Sequence, residues 1–365
     1  MKKKGLLITA ALVVVLALTG CKGGSDAPKE TEGGDKQSKG ELNIMTWIDY
    51  VPGEVMEAFE AETGIKVNPT YISSNEEMLT KLRMQKDTYD VIVCSDATIE
   101  LMIKEGGLIQ KLDKEQIPNF ENIAPAFQSQ YFDPANEYSV PHAAYCALLV
   151  YNMASPVAVK GYADMWNPAL RGAVVLLDDM RGTIGLTSQI SGGDVNETDP
   201  EKLQGIKERM FMLRPNVIAF DADHPHELLL SGDAMAGYMF GSQIMAAIEV
   251  GAEKNPPMEF AYAYPEEGMS YGMDCYVVAE GAPNKDNAMA FLNYVLEGEV
   301  SAKISTMINY INCNQAATAF LSEEFLANPV VNIPIEEIQK AQMYRDIDGA
   351  TMQLYDEIWT EFKNR

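Results

Sequence analysis

The stretch NIMTWIDYVPGEVMEAFEAETGIKV, residues 43–67, decides the fold. Asn43 to Thr46 begins as a short apolar strand, and Trp47, Asp49 and Tyr50 crowd the turn that follows. A helix is expected from about Gly53 to Glu62. Pro52 suits a first turn that needs no amide hydrogen, Val55, Met56 and Phe59 make one apolar stripe, and Gly64 supplies a left-handed stop. Such a unit presents two aromatic rings and a carboxylate at the carboxyl end of a strand, the edge where open α/β sheets take their ligands. A flat ring beside an acid suits an organic cation, held by the ring quadrupole and a charged hydrogen bond. The competing explanation is that Trp47 and Tyr50 only cover core.

Downstream, the same rhythm repeats. Lys66 to Tyr71 reads as a second strand, Ser74-Asn75-Glu76-Glu77 as a capping box, and Asp90 to Cys94 as a continuous apolar run typical of a buried parallel strand. A helix follows that Gly106-Gly107 stops, and Asp96 at its start is either a cap or a ligand contact. Alternating strands and helices call for an α/β lobe with a mostly parallel sheet. Between Tyr138 and Asn152 the texture changes, with an apolar strand from Cys146 to Tyr151 read as a first crossing between lobes. Ala173 to Leu177, Ala234 to Phe240 and Phe260 to Tyr264 are strands expected of a second lobe. Asp199 and its neighbours cap a helix running to Met212. Tyr271 to Val278 reads as a return to the first lobe, Ile308 to Cys313 as a third crossing, and the chain closes on a helix with Ile347, Thr351, Leu354, Tyr355, Ile358 and Phe362 on one face. No period repeats, which excludes solenoids.

The 365 residues suggest about two domains, and 47% hydrophobic with 22% charged residues marks a globular chain. A formal charge of −25 argues against nucleic acid as a partner. The N-terminus is more specific. Met1-Lys2-Lys3-Lys4 is a positive start, Leu6 to Leu18 is apolar but too short to span, and Leu18-Thr19-Gly20-Cys21 resembles a bacterial lipoprotein cleavage site. Residues 1–20 are therefore expected to be a signal peptide, with Cys21 lipidated and residues 21–40 a polar tether. Loss of three lysines takes the charge to −28. Cys94, Cys146, Cys275 and Cys313 stand singly, without metal-ligand spacing, and read as buried thiols.

Catalytic signals are sparse. There are three histidines and no nucleophile elbow, zinc-protease helix or phosphate loop. Residues 221–227, DADHPHE, raise a zinc question through His224 and His226, but two such ligands do not close a tetrahedral site. A helix start with Asp223 as cap and Pro225 in the first turn explains the cluster with less, so no metal and no cofactor are expected. Asp178-Asp179 point to opposite sides of a strand end and are no matched acid pair; Asp179 alone fits an ammonium group. An extracytoplasmic hydrolase would need a nucleophile and base that the sequence does not pair.

From about residue 41 onward the chain resembles the spermidine/putrescine-binding proteins of bacterial ABC importers. The resemblance rests on TWIDYVPGEVMEAFEAETGIKV, SNEEMLTKL, YDVIVCSDATIELMIKEGGLIQKLD, SVPH, LLDDMRG, EEGMSYGMD and INYINCN, in the family's order. It implies a type II two-lobed periplasmic-binding-protein fold with a ligand cleft between lobes, here residues 41–147 with 274–312 and residues 148–273 with 313–365. It also implies a polyamine ligand, an ABC permease partner, a monomer, and an extracytoplasmic, lipid-anchored location rather than an enzyme. Trp47, Tyr50, Asp179, Asp274 and Tyr310 match the family's ligand contacts, Asp49 stands for a frequent glutamate and Phe240 for a tryptophan. The departures are Ala97 for a tyrosine, Gly182 for an acid, Ala222 for a serine, Gly272 for a tryptophan wall and Arg345 for a glutamine. Asp96 or Tyr271 is expected to compensate. If Arg345 faces the cleft, a zwitterionic amino compound becomes the alternative ligand, since a cation beside an unpaired guanidinium is unfavourable.

Overall fold

In chain order the strands are β1 (Glu41–Trp47), β2 (Lys66–Ile72), β3 (Val91–Ser95), β4 (Ile109–Gln110), β5 (Ser139–Asn152) and β6 (Val174–Leu176). They continue as β7 (Val217–Phe220), β8 (Ala236–Phe240), β9 (Phe260–Ala263), β10 (Ser270–Ala279), β11 (Ile311–Asn312) and β12 (Gln342–Met343). The structure, a computed structural model, describes residues 40–365. The signal peptide, Cys21 and the tether up to residue 39 lie outside the described residues.

The strands join in the order β2-β1-β3-β10-β5-β8-β6-β7. Strands β1, β2 and β3 are parallel, as their crossover helices require, whereas β10 and β5 run antiparallel to their neighbours. Leu42, Ile44 and Met45 are fully buried between helical layers, and the helix Gly53–Thr63 buries Val55, Met56 and Phe59. Gly64 ends that helix at φ 75°, a left-handed conformation a β-carbon disfavours, with its N–H donating to the Glu60 carbonyl at 2.8 Å. Phe59 then meets Phe291 edge to face at 5.2 Å, a contact worth about 0.5–1.5 kcal/mol beyond its buried area.

Strand β5 builds the two-lobed arrangement. Residues 139–146 pair with β10, and residues 147–152 pair with β8 and β9, so one continuous strand serves two sheets. The first crossing thus lies inside a 14-residue strand that begins at Ser139, seven residues earlier than the apolar run from Cys146 implies. Asp133 explains the early start, because its carboxylate accepts the N–H groups of Glu137, Tyr138 and Ser139 and fixes the entry. Strand β11 returns to the first sheet beside Ala143 and Ala144. The closing helix Gly349–Lys363 buries Thr351, Tyr355, Ile358 and Phe362. Its cap is Asp348, which accepts the N–H groups of Ala350 and Thr351.

Asp90 ties the first lobe together. Fully buried, it accepts the Asn43 N–H at 2.7 Å, the Asn284 N–H at 2.6 Å and the Asn284 side-chain amide at 3.1 Å. Three donors compensate the desolvation of its charge and fix β1 against the chain after β10. Cys94, Cys146, Cys275 and Cys313 are buried free thiols, and burial raises the pKa of each.

Candidate functional site

The register of two antiparallel ladders assembles the site. Pairing of β10 with β3 sets Asp274 opposite Ser95, and pairing of β10 with β5 sets Gly272 opposite Tyr145. Asp96 follows Ser95 as the first residue of the helix Asp96–Glu105. Ser95 occupies the cap position, while Asp96 Oδ1 accepts its neighbour Ala97's N–H at 2.7 Å and Oδ2 accepts the Met273 N–H at 3.3 Å. From the second sheet, β6 ends at Leu176 and the helix Met180–Gln189 begins at once, with Asp179 as its cap. Asp179 Oδ1 accepts the Gly182 N–H at 3.0 Å.

These elements enclose a cavity of about 340 Å³ whose wall includes Asp96, Tyr145, Asp179, Arg181, Phe240 and Tyr271. An aromatic ribbon leads away from this wall, which holds its Tyr145 and Phe240 but not Trp47, Tyr50 or Tyr310. Trp47 meets Tyr50 at 5.5 Å, Tyr50 meets Tyr310 at 5.6 Å, Tyr310 meets Tyr145 at 6.2 Å, and Tyr145 meets Phe240 at 5.6 Å, each edge to face. Trp47, Tyr50, Tyr310 and Asp274 therefore lie at one end of the ribbon and Phe240 at the other. Tyr50 Oη donates to Asp274 Oδ2 at 2.5 Å, while Asp274 Oδ1 is buried without a hydrogen-bond partner.

Electrostatics follow from burial. Asp96 is pushed up to about 8, first by desolvation and then by the neighbouring Asp274, against the pull of the Ala97 and Met273 amides and the Arg181 charge. Desolvation also raises Asp274 to about 6, opposed by the Tyr50 hydroxyl. Asp179 is raised by the same cause. Burial here disfavours bare carboxylates, a cost that a bound cation would relieve.

Of the expected residues, Trp47, Tyr50, Asp274 and Tyr310 are not part of this wall but lie beside it along the ribbon, and Asp49 and Arg345 stand apart. Asp49 is exposed on the turn after β1 at φ 59°. Arg345 is exposed, with its guanidinium 4.2 Å from the centre of the Tyr131 ring and its N–H on Asn196 Oδ1 at 2.7 Å. The cation on the cavity wall is Arg181. Its Nη2 donates to Asn196 Oδ1 at 2.8 Å and to the Arg345 carbonyl at 3.0 Å, and its buried Nε has no partner. Sequence reasoning passed over Arg181 and Tyr145. Arg181 lies two residues beyond Asp179, close enough to share its site, but Tyr145 is found only through strand register.

The 221–227 cluster is a turn. Asp221 Oδ1 accepts the N–H groups of Asp223 and His224, both at 2.9 Å, so Asp221 rather than Asp223 caps the approach to the short helix His226–Ser231. A side chain two residues before the amide closes this turn locally, which is why Asp221 wins. Among the described residues no group of three or more His, Cys, Asp or Glu side chains is placed to hold a metal. No helix among them is long and apolar enough to cross a membrane.

A two-lobed α/β frame with acids and rings facing a shared cavity defines a solute-binding protein, and the comparisons place the chain among known ones. Residues 54–332 match the model of the bacterial extracellular solute-binding protein family, and the chain belongs to that family. It is 32% identical to the spermidine/putrescine-binding periplasmic protein of Escherichia coli over 325 residues, covering 88% of this chain and 91% of that one. It is 24% identical to the putrescine/cadaverine-binding protein of Pseudomonas aeruginosa, over 89% of this chain and 94% of that one. Among solved structures, the spermidine/putrescine substrate-binding protein PotD of Streptococcus pneumoniae superposes with a TM-score of 0.78 at 29% identity, covering 89% of this chain and 98% of that one.

Proposed function

We propose that this chain is the substrate-binding component of an ABC importer, capturing a polyamine such as putrescine or spermidine and delivering it to a membrane permease. One observation carries the reading. Asp274 is 6% exposed, holds the Tyr50 hydroxyl on one oxygen, and leaves the other buried without a donor. An ammonium group supplies both the missing donor and the opposite charge. Asp179 and Asp96 would take further nitrogens, and Trp47, Tyr50, Phe240, Tyr271 and Tyr310 would pack on the methylene chain. Asp49 and Arg345 would act outside the cavity, at its approaches. The names of relatives in two organisms, one for spermidine and putrescine and one for putrescine and cadaverine, support the ligand class.

The lobes we assign are residues 41–147 with 274–312 and residues 148–273 with 313–365, working as a monomer that binds rather than transforms its ligand. Cys21 would carry the lipid that anchors the protein outside the cytoplasm, and a mass shift of one diacylglycerol on that cysteine tests it. A second reading, a zwitterionic amino compound, is favoured by Arg181, whose buried Nε lacks an acceptor beside Asp96 and Asp179. Isothermal titration against putrescine, spermidine and ω-amino acids decides. Heat with a polyamine supports the first reading, and heat with ω-amino acids alone replaces it by the second.

A further inference from the structure

Gly272 lies within β10, and Tyr145 of β5 is its partner across the ladder. A β-carbon built on Gly272 would stand 2.3 Å from Tyr145 Cζ, 2.5 Å from Oη and 2.6 Å from Cε2. The backbone of Gly272 does not adopt a positive φ, so room and not conformational freedom is what calls for glycine there. The tip of the Tyr145 ring already holds the volume that any side chain at 272 would claim. The same ring faces the cavity and joins Phe240 to Tyr310 in the aromatic ribbon.

We infer that Tyr145 and Gly272 form one exchanged wall, in which Tyr145 supplies from β5 the aromatic surface for the ligand's hydrocarbon chain and sets the length of cation admitted. The inference rests on the polyamine reading and deepens it. Directly opposed residues on antiparallel strands project to the same face with β-carbons about 4.5–5.5 Å apart, so a large and a small residue can trade places with little cost to the sheet. The trade still moves the wall. A ring rooted on β5 enters the cavity roughly one strand spacing, about 4.8 Å, from one rooted on β10. That offset is close to the reach of a few methylene groups, the difference between one polyamine and the next.

The test uses four proteins: wild type, Tyr145→Ala, Gly272→Trp, and the two substitutions together. Each is titrated with putrescine and spermidine and unfolded thermally. Tyr145→Ala is expected to weaken putrescine about tenfold or more and to raise the preference for spermidine, because an aromatic contact is lost and the cavity lengthens. Gly272→Trp alone is expected to unfold several degrees lower and bind neither ligand, and the double variant to recover both properties. Tyr145→Ala with both affinities within twofold of wild type would overturn the inference. Should wild type take up neither polyamine, the transport reading falls separately. The shared volume is then judged on unfolding alone, where recovery in the double variant supports it and additive losses overturn it.

Discussion

Tyr50 and Asp274, 224 residues apart in the chain, are joined by a hydrogen bond of 2.5 Å from the tyrosine hydroxyl to carboxylate oxygen Oδ2. The bond orients an acid whose other oxygen has no partner. Tyr50→Phe removes a hydroxyl that, with Ser95, steadies the carboxyl. Putrescine affinity is expected to fall about tenfold, since a hydrogen bond to a charged group is worth about 1.5–3 kcal/mol. Titration calorimetry reads this directly, and an unchanged constant would mean the bond plays no part in presenting Asp274.

Binding should strengthen as pH rises. Asp96 on the cavity wall, pushed up to about 8, and Asp274 beside it, pushed up to about 6, hold protons that an ammonium ligand must displace. Between pH 6 and 8 the association constant should rise by up to about one decade per pH unit for each proton released. Calorimetry in buffers of different ionisation enthalpy should detect those protons leaving. For the empty protein the sign reverses. A carboxyl raised on folding contributes stability that is complete below its unfolded value near 4 and lost as pH climbs through 8, so the unliganded protein should melt lower at pH 8 than at pH 5. A pH-independent affinity would show that the acids are already ionised.

Arg181 separates the two ligand readings. It lines the cavity with Asp96 and Asp179, and its charge opposes a bound cation. Arg181→Gln, measured at pH 8.5 where the acids are largely ionised, should tighten putrescine severalfold by removing like-charge repulsion. Any ω-amino acid that binds wild type should lose at least tenfold. A ligand whose affinity falls in Arg181→Gln is identified as one that carries its own acid, and putrescine that weakens instead of tightening would show that Arg181 does not oppose the cation.

Asp90→Ala tests the frame rather than the site. Three donors, two of them backbone amides, would lose their acceptor in a fully buried setting. Urea unfolding should show a loss of about 2–4 kcal/mol with little change in slope. Putrescine affinity below the transition should stay within about threefold, since Asp90 is remote from the cavity wall.

Much of the frame was legible because its signals are local. Continuous apolar runs such as Val91–Ser95 and Val174–Leu176 became strands, and Gly64, Ser74 and Asp199 punctuate helices where their chemistry says they should. Asp96, Asp179, Phe240 and Tyr271 share the cavity, with Tyr50, Asp274 and Tyr310 beside it. What escaped is whatever depends on partners distant in the chain. Tyr145 sits in a run of alanines with the single cysteine Cys146, and its meaning appears only when β10 fixes Gly272 opposite it. Arg181 and Arg345 are alike on paper, yet the helix that starts at Met180 turns one toward the cavity while Tyr131 holds the other at the surface.

Strand β5 changes its hydrogen-bonding company between Cys146 and Ala147, with no break in the ribbon of peptide groups. An opening of the chamber would twist this strand at those two small residues, along with the other segments that pass between the sheets. In that way occupancy inside the molecule would read out as an angle on its exterior. A bulky substitution at Ala147, which lines the cavity and pairs with Phe240, would crowd the cargo and the joint together.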